Sequence, residues 1–318
     1  YEAISPRAYD FYVEGNYAYI AAGTSGLAVI DISNPTNPGT PVYEDITISS
    51  LGIYVQGNYA YLAASTAGLA IIDISDPTNP GTPVYEVTSG SARDVFVSGN
   101  YAYVADYDYG LAVIDISDPT NPGTPVYEDT DGFAYGVYVE GNYAYVTDTN
   151  SGLAIIDVSN PTNPGIPVYD SIGYIVDVFI SGNYAYIAAI SSGLAIVDIS
   201  EHINPPTPSY ETTTGNAYDV FVSGDYAYVA CSTSGLAIID ISNPTNPGPT
   251  NYVLSSATVL GVYVSGDYAY VAAATLGLAI VDISNPLSPS FVTSSNTAGS
   301  AQDVFVDGNY AYVADYGS

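Results

Sequence analysis

Apolar and polar positions along this chain fall into short bursts, and the bursts repeat. In the first stretch Asp10-Phe11-Tyr12-Val13, Tyr17-Ala18-Tyr19-Ile20, Leu27 to Ile32 and Pro41 to Glu44 each read as a strand, parted by polar or Gly- and Pro-rich segments. Gly15-Asn16 between the first two runs, echoed by Gly224-Asp225 and Gly266-Asp267, is a tight-hairpin signal. No stretch of useful length has helical periodicity. The same text returns along the whole sequence. The hairpin glycine recurs at Gly57, Gly99, Gly141, Gly182, Gly224, Gly266 and Gly308, at intervals of 42 residues with one of 41. A fixed period of that size belongs to solenoids, propellers and arrays.

Within the second and third strands large and small residues alternate. Tyr17 and Tyr19 face one side, Ala18 and Ile20 the other, and both sides are largely apolar. Such strands need cover on both faces. Sheets packed face to face supply it, with the tyrosines of one sheet lying on the small residues of the next. A unit of about 42 residues with four strands is the propeller signature.

The segments Gly235 to Pro247 (Gly-Leu-Ala-Ile-Ile-Asp-Ile-Ser-Asn-Pro-Thr-Asn-Pro) and Gly308 to Asp315 (Gly-Asn-Tyr-Ala-Tyr-Val-Ala-Asp) closely resemble the LVIVD-repeat family. The resemblance covers essentially the whole chain. It implies a β-propeller of the kind found in bacterial and archaeal proteins, often large surface or secreted ones, and brings no catalytic residues. Two repeats depart from the pattern. Glu201-His202-Ile203 replaces Asn-Pro-Thr in the fifth, and Asn285-Pro286-Leu287-Ser288-Pro289 shortens the same loop in the seventh. Strand counting then predicts an all-β, eight-bladed propeller forming one domain over 1–318. Seven blades are full. The eighth is shared between the termini, takes Tyr1-Glu2-Ala3-Ile4 as its outer strand and lacks its third strand.

Charge narrows the function. The net charge is −31, yet acids number only 33 and charged residues make up 11% of the chain, against roughly 25% in ordinary domains. Lys is absent, and Arg7 and Arg93 are the only strong bases. The surface is polar and short of bases rather than crowded with acids. Nucleic-acid binding and attraction to anionic lipid both need Lys and Arg, so neither is expected. No run of 18 apolar residues occurs, so no membrane-spanning helix is expected. The chain begins at Tyr1 rather than Met, which suggests a processed form. Cys231 is alone, takes the place of Ala22 in the first repeat, and reads as a small, semi-buried side chain.

Comparison of the repeats with one another separates two faces. The turns between first and second strands and between third and fourth strands barely vary. The loops after the second strand and between blades do vary: Gly23-Thr24-Ser25, Asp106-Tyr107-Asp108-Tyr109, Asp148-Thr149-Asn150-Ser151 and Ser89-Gly90-Ser91-Ala92. Binding residues gather on such loops, which makes Asp106, Tyr107, Asp108, Tyr109 and Asp148 candidates for a glycan or peptide ligand. The first strands begin at Asp10, Gly52, Asp94, Gly136, Asp177, Asp219, Gly261 and Asp303. In a propeller these positions line the central channel. Asp10, Asp94, Asp177, Asp219 and Asp303 would there hold Ca²⁺ through oxygen ligands, or else each caps its own loop through backbone N–H groups. The Asp that ends every third strand, Asp31 in the first repeat, reads as a turn former.

Three functions are compatible with these features. The first is a non-enzymatic extracellular or cell-surface module for adhesion or assembly, with itself or another surface molecule as partner and a filament built by strand addition at the incomplete blade. The second is a ligand-binding propeller that uses the variable face. The third is a hydrolase in which Asp106, Asp108 and the channel acids converge. The lone His202 has no nucleophile or metal-ligand spacing beside it, so no enzyme is expected.

Overall fold

The computed structural model describes residues 8–46, 48–170 and 172–316. All regular structure in these residues is β. The first repeat forms strands Asp10–Glu14, Tyr17–Ala21, Leu27–Asp31 and Val42–Glu44, hydrogen-bonded in that order as an antiparallel sheet. These match the four expected runs to within a residue or two. The pattern returns in six more four-stranded sheets and then in a two-stranded one, Ser300–Asp307 with Tyr310–Tyr316. Tyr1–Ile4, expected as an outer strand, and Arg7 lie outside the described residues.

Local chemistry fixes each sheet. Glu14 pairs directly with Tyr17, so only Gly15 and Asn16 make the turn. Gly15 takes φ +59°, the left-handed value that the first position of a tight hairpin turn demands. Asp31 closes the other turn. Its Oδ1 accepts the Ser33 N–H at 2.8 Å, and its backbone oxygen accepts the Gly39 N–H at 2.8 Å. Hydrogen bonds from Ser33 hold the Asp31 carboxyl below its usual range, and Asp73, Asp115, Asp198, Asp240 and Asp282 behave alike. The turn-forming role read from the sequence is therefore seen in the structure.

The described residues group into two compact units, 1–169 with the first four sheets and 170–318 with the last four. Inside each unit successive sheets pack face to face. Tyr19, Ala21, Leu27 and Val29 of the first sheet lie against Ala60, Leu62, Ala70 and Ile72 of the second. Tyr186, Ala188, Leu194 and Ile196 of the fifth lie in the same way on Ala227, Val229, Ala237 and Ile239 of the sixth. The tyrosines and the small residues meet as the alternation required.

A second layer of packing was not anticipated. The third position of every first strand is aromatic, and within a unit these rings touch in series. Tyr12, Tyr54, Phe96 and Tyr138 have centroids 5.2, 4.8 and 5.1 Å apart. Phe179, Phe221, Tyr263 and Phe305 follow at 5.0, 4.9 and 5.1 Å. The tilted and edge-on geometries are those that the ring quadrupole favours. Within each unit the ladder ties each first strand to the next through ring contacts.

Candidate functional site

The acids that begin the first strands are bound into the backbone. One oxygen of Asp10 accepts the N–H of Phe11 at 2.8 Å, and the other accepts the N–H of Ile53 in the next sheet at 2.8 Å. Asp94 does the same with Val95 at 2.8 Å and with Val137 at 3.0 Å. Asp177 accepts from Val220 at 3.1 Å and Asp219 from Val262 at 2.6 Å. Asp10 and Asp94 therefore cap their own strands, and all four stitch their strand to the following sheet. Among the described residues no three His, Cys, Asp or Glu side chains converge as a metal-holding group. Both carboxylate oxygens of Asp10 and of Asp94, two of the acids expected to hold Ca²⁺ with Asp177, Asp219 and Asp303, accept a backbone N–H, as the capping alternative requires.

In the first unit glycines separate the acids. A side chain at Gly52 would bring its Cβ to 2.8 Å from the Cα of Asp94. In the second unit Asp177 and Asp219 occupy successive sheets with no glycine between them. Their carboxyls hydrogen-bond, with Asp219 as the protonated partner. Burial first, and then the charges of Asp177 and Asp303, push Asp219 well above the ordinary carboxylate range. Burial also raises Asp177, which accepts the shared proton. Asp303 keeps exposed surface, but protein hems its carboxyl in, and that desolvation lifts it to about 6.

The loop acids are anchors as well. Asp106 is sealed from solvent. Its oxygens accept the Thr88 hydroxyl at 2.6 Å and the Gly90 N–H at 2.8 Å. Asp148, equally buried, accepts N–H groups from Gly132 at 2.8 Å and from Asn150 and Ser151 at 2.9 Å. Asp315 repeats the first arrangement with Thr297 and Gly299, each at 2.8 Å. A ligand would have to open these loops to reach the carboxylates of Asp106 or Asp148. Asp106 and Asp315 each read a Thr-x-Gly in the connection entering their sheet, and Asp148 reads the Gly of Thr130-x-Gly132, whose Thr130 hydroxyl is buried without a partner; where the connection lacks Thr-x-Gly the position is Ala22, Ala64, Ala189 or Ala273.

The sixth sheet breaks this pairing. Thr213-Thr214-Gly215 faces Cys231, a buried thiol that burial pushes up to about 11. The Thr213 hydroxyl donates to the backbone oxygen of Gly215 at 2.7 Å. Cys231→Asp should therefore be accepted, because donors already stand around it. Ala273→Asp, whose connection supplies no such donors, should be strongly destabilising, since an unpartnered buried carboxylate costs several kcal/mol. Thermal unfolding at pH 7 should rank Cys231→Asp above Ala273→Asp by more than about 3 kcal/mol; equal losses would refute the pairing.

Of the other loop candidates, Asp108 and Tyr109 are exposed, and Tyr109 lies near Tyr127 with centroids 6.1 Å apart. Tyr107 is different. It takes φ +46° at a position where the first repeat has Gly23. Its backbone pairs with Ala134, which brings its ring flat onto Phe133 at 4.5 Å and 8°. Tyr135 meets it edge-on at 5.4 Å, and a hydrogen bond to the Tyr135 hydroxyl raises the Tyr107 pKa. The guanidinium carbon of Arg93 sits 4.5 Å from the Tyr107 centroid and 5.5 Å from that of Tyr135. Phe133 and Tyr135 were not anticipated beside Arg93, since they come from a different segment. The signal lay in comparing repeats: Ser49, Ser91 and Ser300 stand where Phe133 does, and Leu51 and Leu260 where Arg93 does.

The last sheet carries the other distinctive surface. Tyr310–Tyr316 pairs with Ser300–Asp307, and the described residues give this sheet two strands where each of the others has four. Ala311, Val313 and Ala314 are half-buried, although their counterparts Ala102, Val104 and Ala105 are sealed. The seventh sheet is uncovered beside it. Leu278 and Ile280 are half-buried where Leu236 and Ile238 are sealed, and Phe291 and Val292 are 49% and 51% exposed. The packing between these two sheets shrinks to Ala272, Ala301 and Val304 with a half-buried rim.

Comparisons with known proteins agree on architecture. The LVIVD repeat model matches residues 7–40, 49–83, 89–125, 131–167, 172–209, 214–253, 258–297 and 298–318. None of the curated proteins matches the sequence. Among solved structures the chain is similar to the computationally designed Ika8 protein, with TM-score 0.76 and 12% identity over 97% of this chain and 93% of that one. It is also similar to BamB from Moraxella catarrhalis, with TM-score 0.70 and 17% identity over 96% and 91%. A third is apo AztD from Citrobacter koseri, with TM-score 0.61 and 14% identity over 94% and 88%. At these identities the likeness is one of fold: repeated four-stranded sheets in a propeller-like arrangement.

Proposed function

We propose that this chain, which belongs to the LVIVD-repeat family, is a non-enzymatic assembly or adhesion module of the cell surface or extracellular space, whose last sheet accepts a strand from a second copy. The observation that carries this reading is the half-buried edge Tyr310–Tyr316 beside the uncovered Leu278, Ile280, Phe291 and Val292. Seven full sheets and one of two strands fit a single eight-bladed ring whose last blade is completed by other segments. An open edge is a template for strand addition, and the wanted strand is defined by the other seven. In the sixth sheet Leu236, Ala237, Ile238, Ile239 and Asp240 pair with Ala230 to Tyr226. A contact made head to tail in this way does not close on itself and propagates.

The edge can be blocked selectively. In the second strand of the first sheet the N–H of Ala22 and the oxygen of Ala21 point to opposite neighbours, so by register the N–H of Val313, like that of Ala311, points to the open side. Val313→Pro removes that donor while leaving the bonds to Ser300–Asp307, and Pro is tolerated on such edges. The parent chain should grow beyond 33.1 kDa as concentration rises in sedimentation experiments, and Val313→Pro should stay monomeric. A parent that remains monomeric at every concentration would refute strand exchange.

A further inference from the structure

Among the described residues Arg93 is the one strong base. It stands in a chain with 33 acids, yet no carboxylate of the described residues pairs with it, and its Nε is sealed from solvent without a hydrogen-bond partner. Only ring faces hold it, those of Tyr107 and Tyr135. A cation–π contact attracts the charge but satisfies none of the five N–H donors of a guanidinium. Tyr107 is sandwiched between Arg93 and Phe133. Phe133 and Tyr135 are 37% and 40% exposed, and since Tyr107 covers one face of Phe133, the exposed surface of that ring is its outer face and edge. All four residues belong to the first unit, and no sister repeat has Arg where Arg93 stands or Phe where Phe133 stands.

We propose that Arg93, Tyr107, Phe133 and Tyr135 form a binding site for a carboxylate-bearing sugar, a uronate residue of an acidic polysaccharide. The terminal nitrogens of Arg93 take the carboxylate in the two-pronged geometry that the fork of a guanidinium provides. The outer face of Phe133 and the ring of Tyr135 carry the C–H face of the sugar, and the tyrosine hydroxyls meet its own hydroxyls. Charge selects among ligands. A neutral sugar leaves the guanidinium unmatched. At the guanidinium itself a phosphate monoester places nearly two charges, against one for a single uronate residue, on a chain of net charge −31. The site is independent of strand acceptance, because it lies wholly in the first unit.

The test uses the whole chain and oligosaccharides of galacturonate, glucuronate and mannuronate, each beside its methyl ester, with binding read by calorimetry. At least one free acid should bind, and its methyl ester should bind at least about 10-fold more weakly. Arg93→Leu copies Leu51 and Leu260 of sister repeats, and Phe133→Ser copies Ser91, so both should fold; unchanged thermal midpoints check this. Each should weaken the free acid about 10-fold or more. Three results would overturn the proposal: no uronate binding at millimolar concentration, equal binding of acid and ester, or binding that survives Arg93→Leu unchanged.

Discussion

At pH 8 the Asp219→Asn variant should melt a few °C above the parent, and at pH 4 the two should melt together. Asp177 and Asp219 face each other across successive sheets, and Asp219 carries the shared proton. A carboxyl raised in the folded state binds its proton more tightly there than in the unfolded chain. Its stabilisation is fully present below the unfolded pKa, near 4, and is lost as pH rises through the folded value. Asp303, lifted to about 6 by burial, titrates in the same direction. So does Asp170, also lifted to about 6, a buried acid whose Oδ2 has no partner and which stands where other repeats have Glu44 or Val253. The parent should therefore lose stability steadily from about pH 4 to beyond pH 6. An Asn at 219 keeps an oxygen for the Val262 N–H and offers an amide N–H to Asp177, with no proton to lose. The gain at pH 8 should be about 1–3 kcal/mol, the usual scale for a badly partnered buried polar group, or a few °C. A parent whose midpoint is flat from pH 4 to 8 would contradict the shared proton.

The strands, their order and the packing of tyrosines on small residues were legible because each is a property of one repeat or of two copies of the same repeat. The spacing of Gly15 and Asn16 fixed the hairpin, and the two-sided apolar pattern required sheet-on-sheet packing. The acids were harder. Asp10 and its equivalents share one strand position, but whether they converge on an ion or bind the next sheet depends on distances that no single repeat encodes. Their bond to the N–H of Ile53, Val137, Val220 or Val262 is a relation between neighbours. The link between Asp106 and Thr88-x-Gly90 is of the same kind, with its halves in two segments that look unrelated until repeats are compared one sheet out of step. The Arg93 cluster draws on three segments at positions where the repeat pattern lapses, so periodicity hides it.

The strand-completion reading has the largest consequence for stability. A third strand contributes Leu236, Ile238, Ile239 and Ile241, all buried in the sixth sheet. At about 1.5–3 kcal/mol for each buried side chain, these four account for roughly 6–12 kcal/mol, comparable with the whole stability of a typical domain, about 5–15 kcal/mol. A segment of that sequence supplied to the last sheet should find both the open edge and the uncovered apolar surface of the seventh. The synthetic peptide Gly-Leu-Ala-Ile-Ile-Asp-Ile-Ser, residues 235–242, is the direct probe. Titrated into the parent chain, it should break concentration-dependent assemblies into monomers and raise the thermal midpoint saturably, and it should do neither with Val313→Pro. A parent whose size and midpoint are unmoved by millimolar peptide would contradict the account.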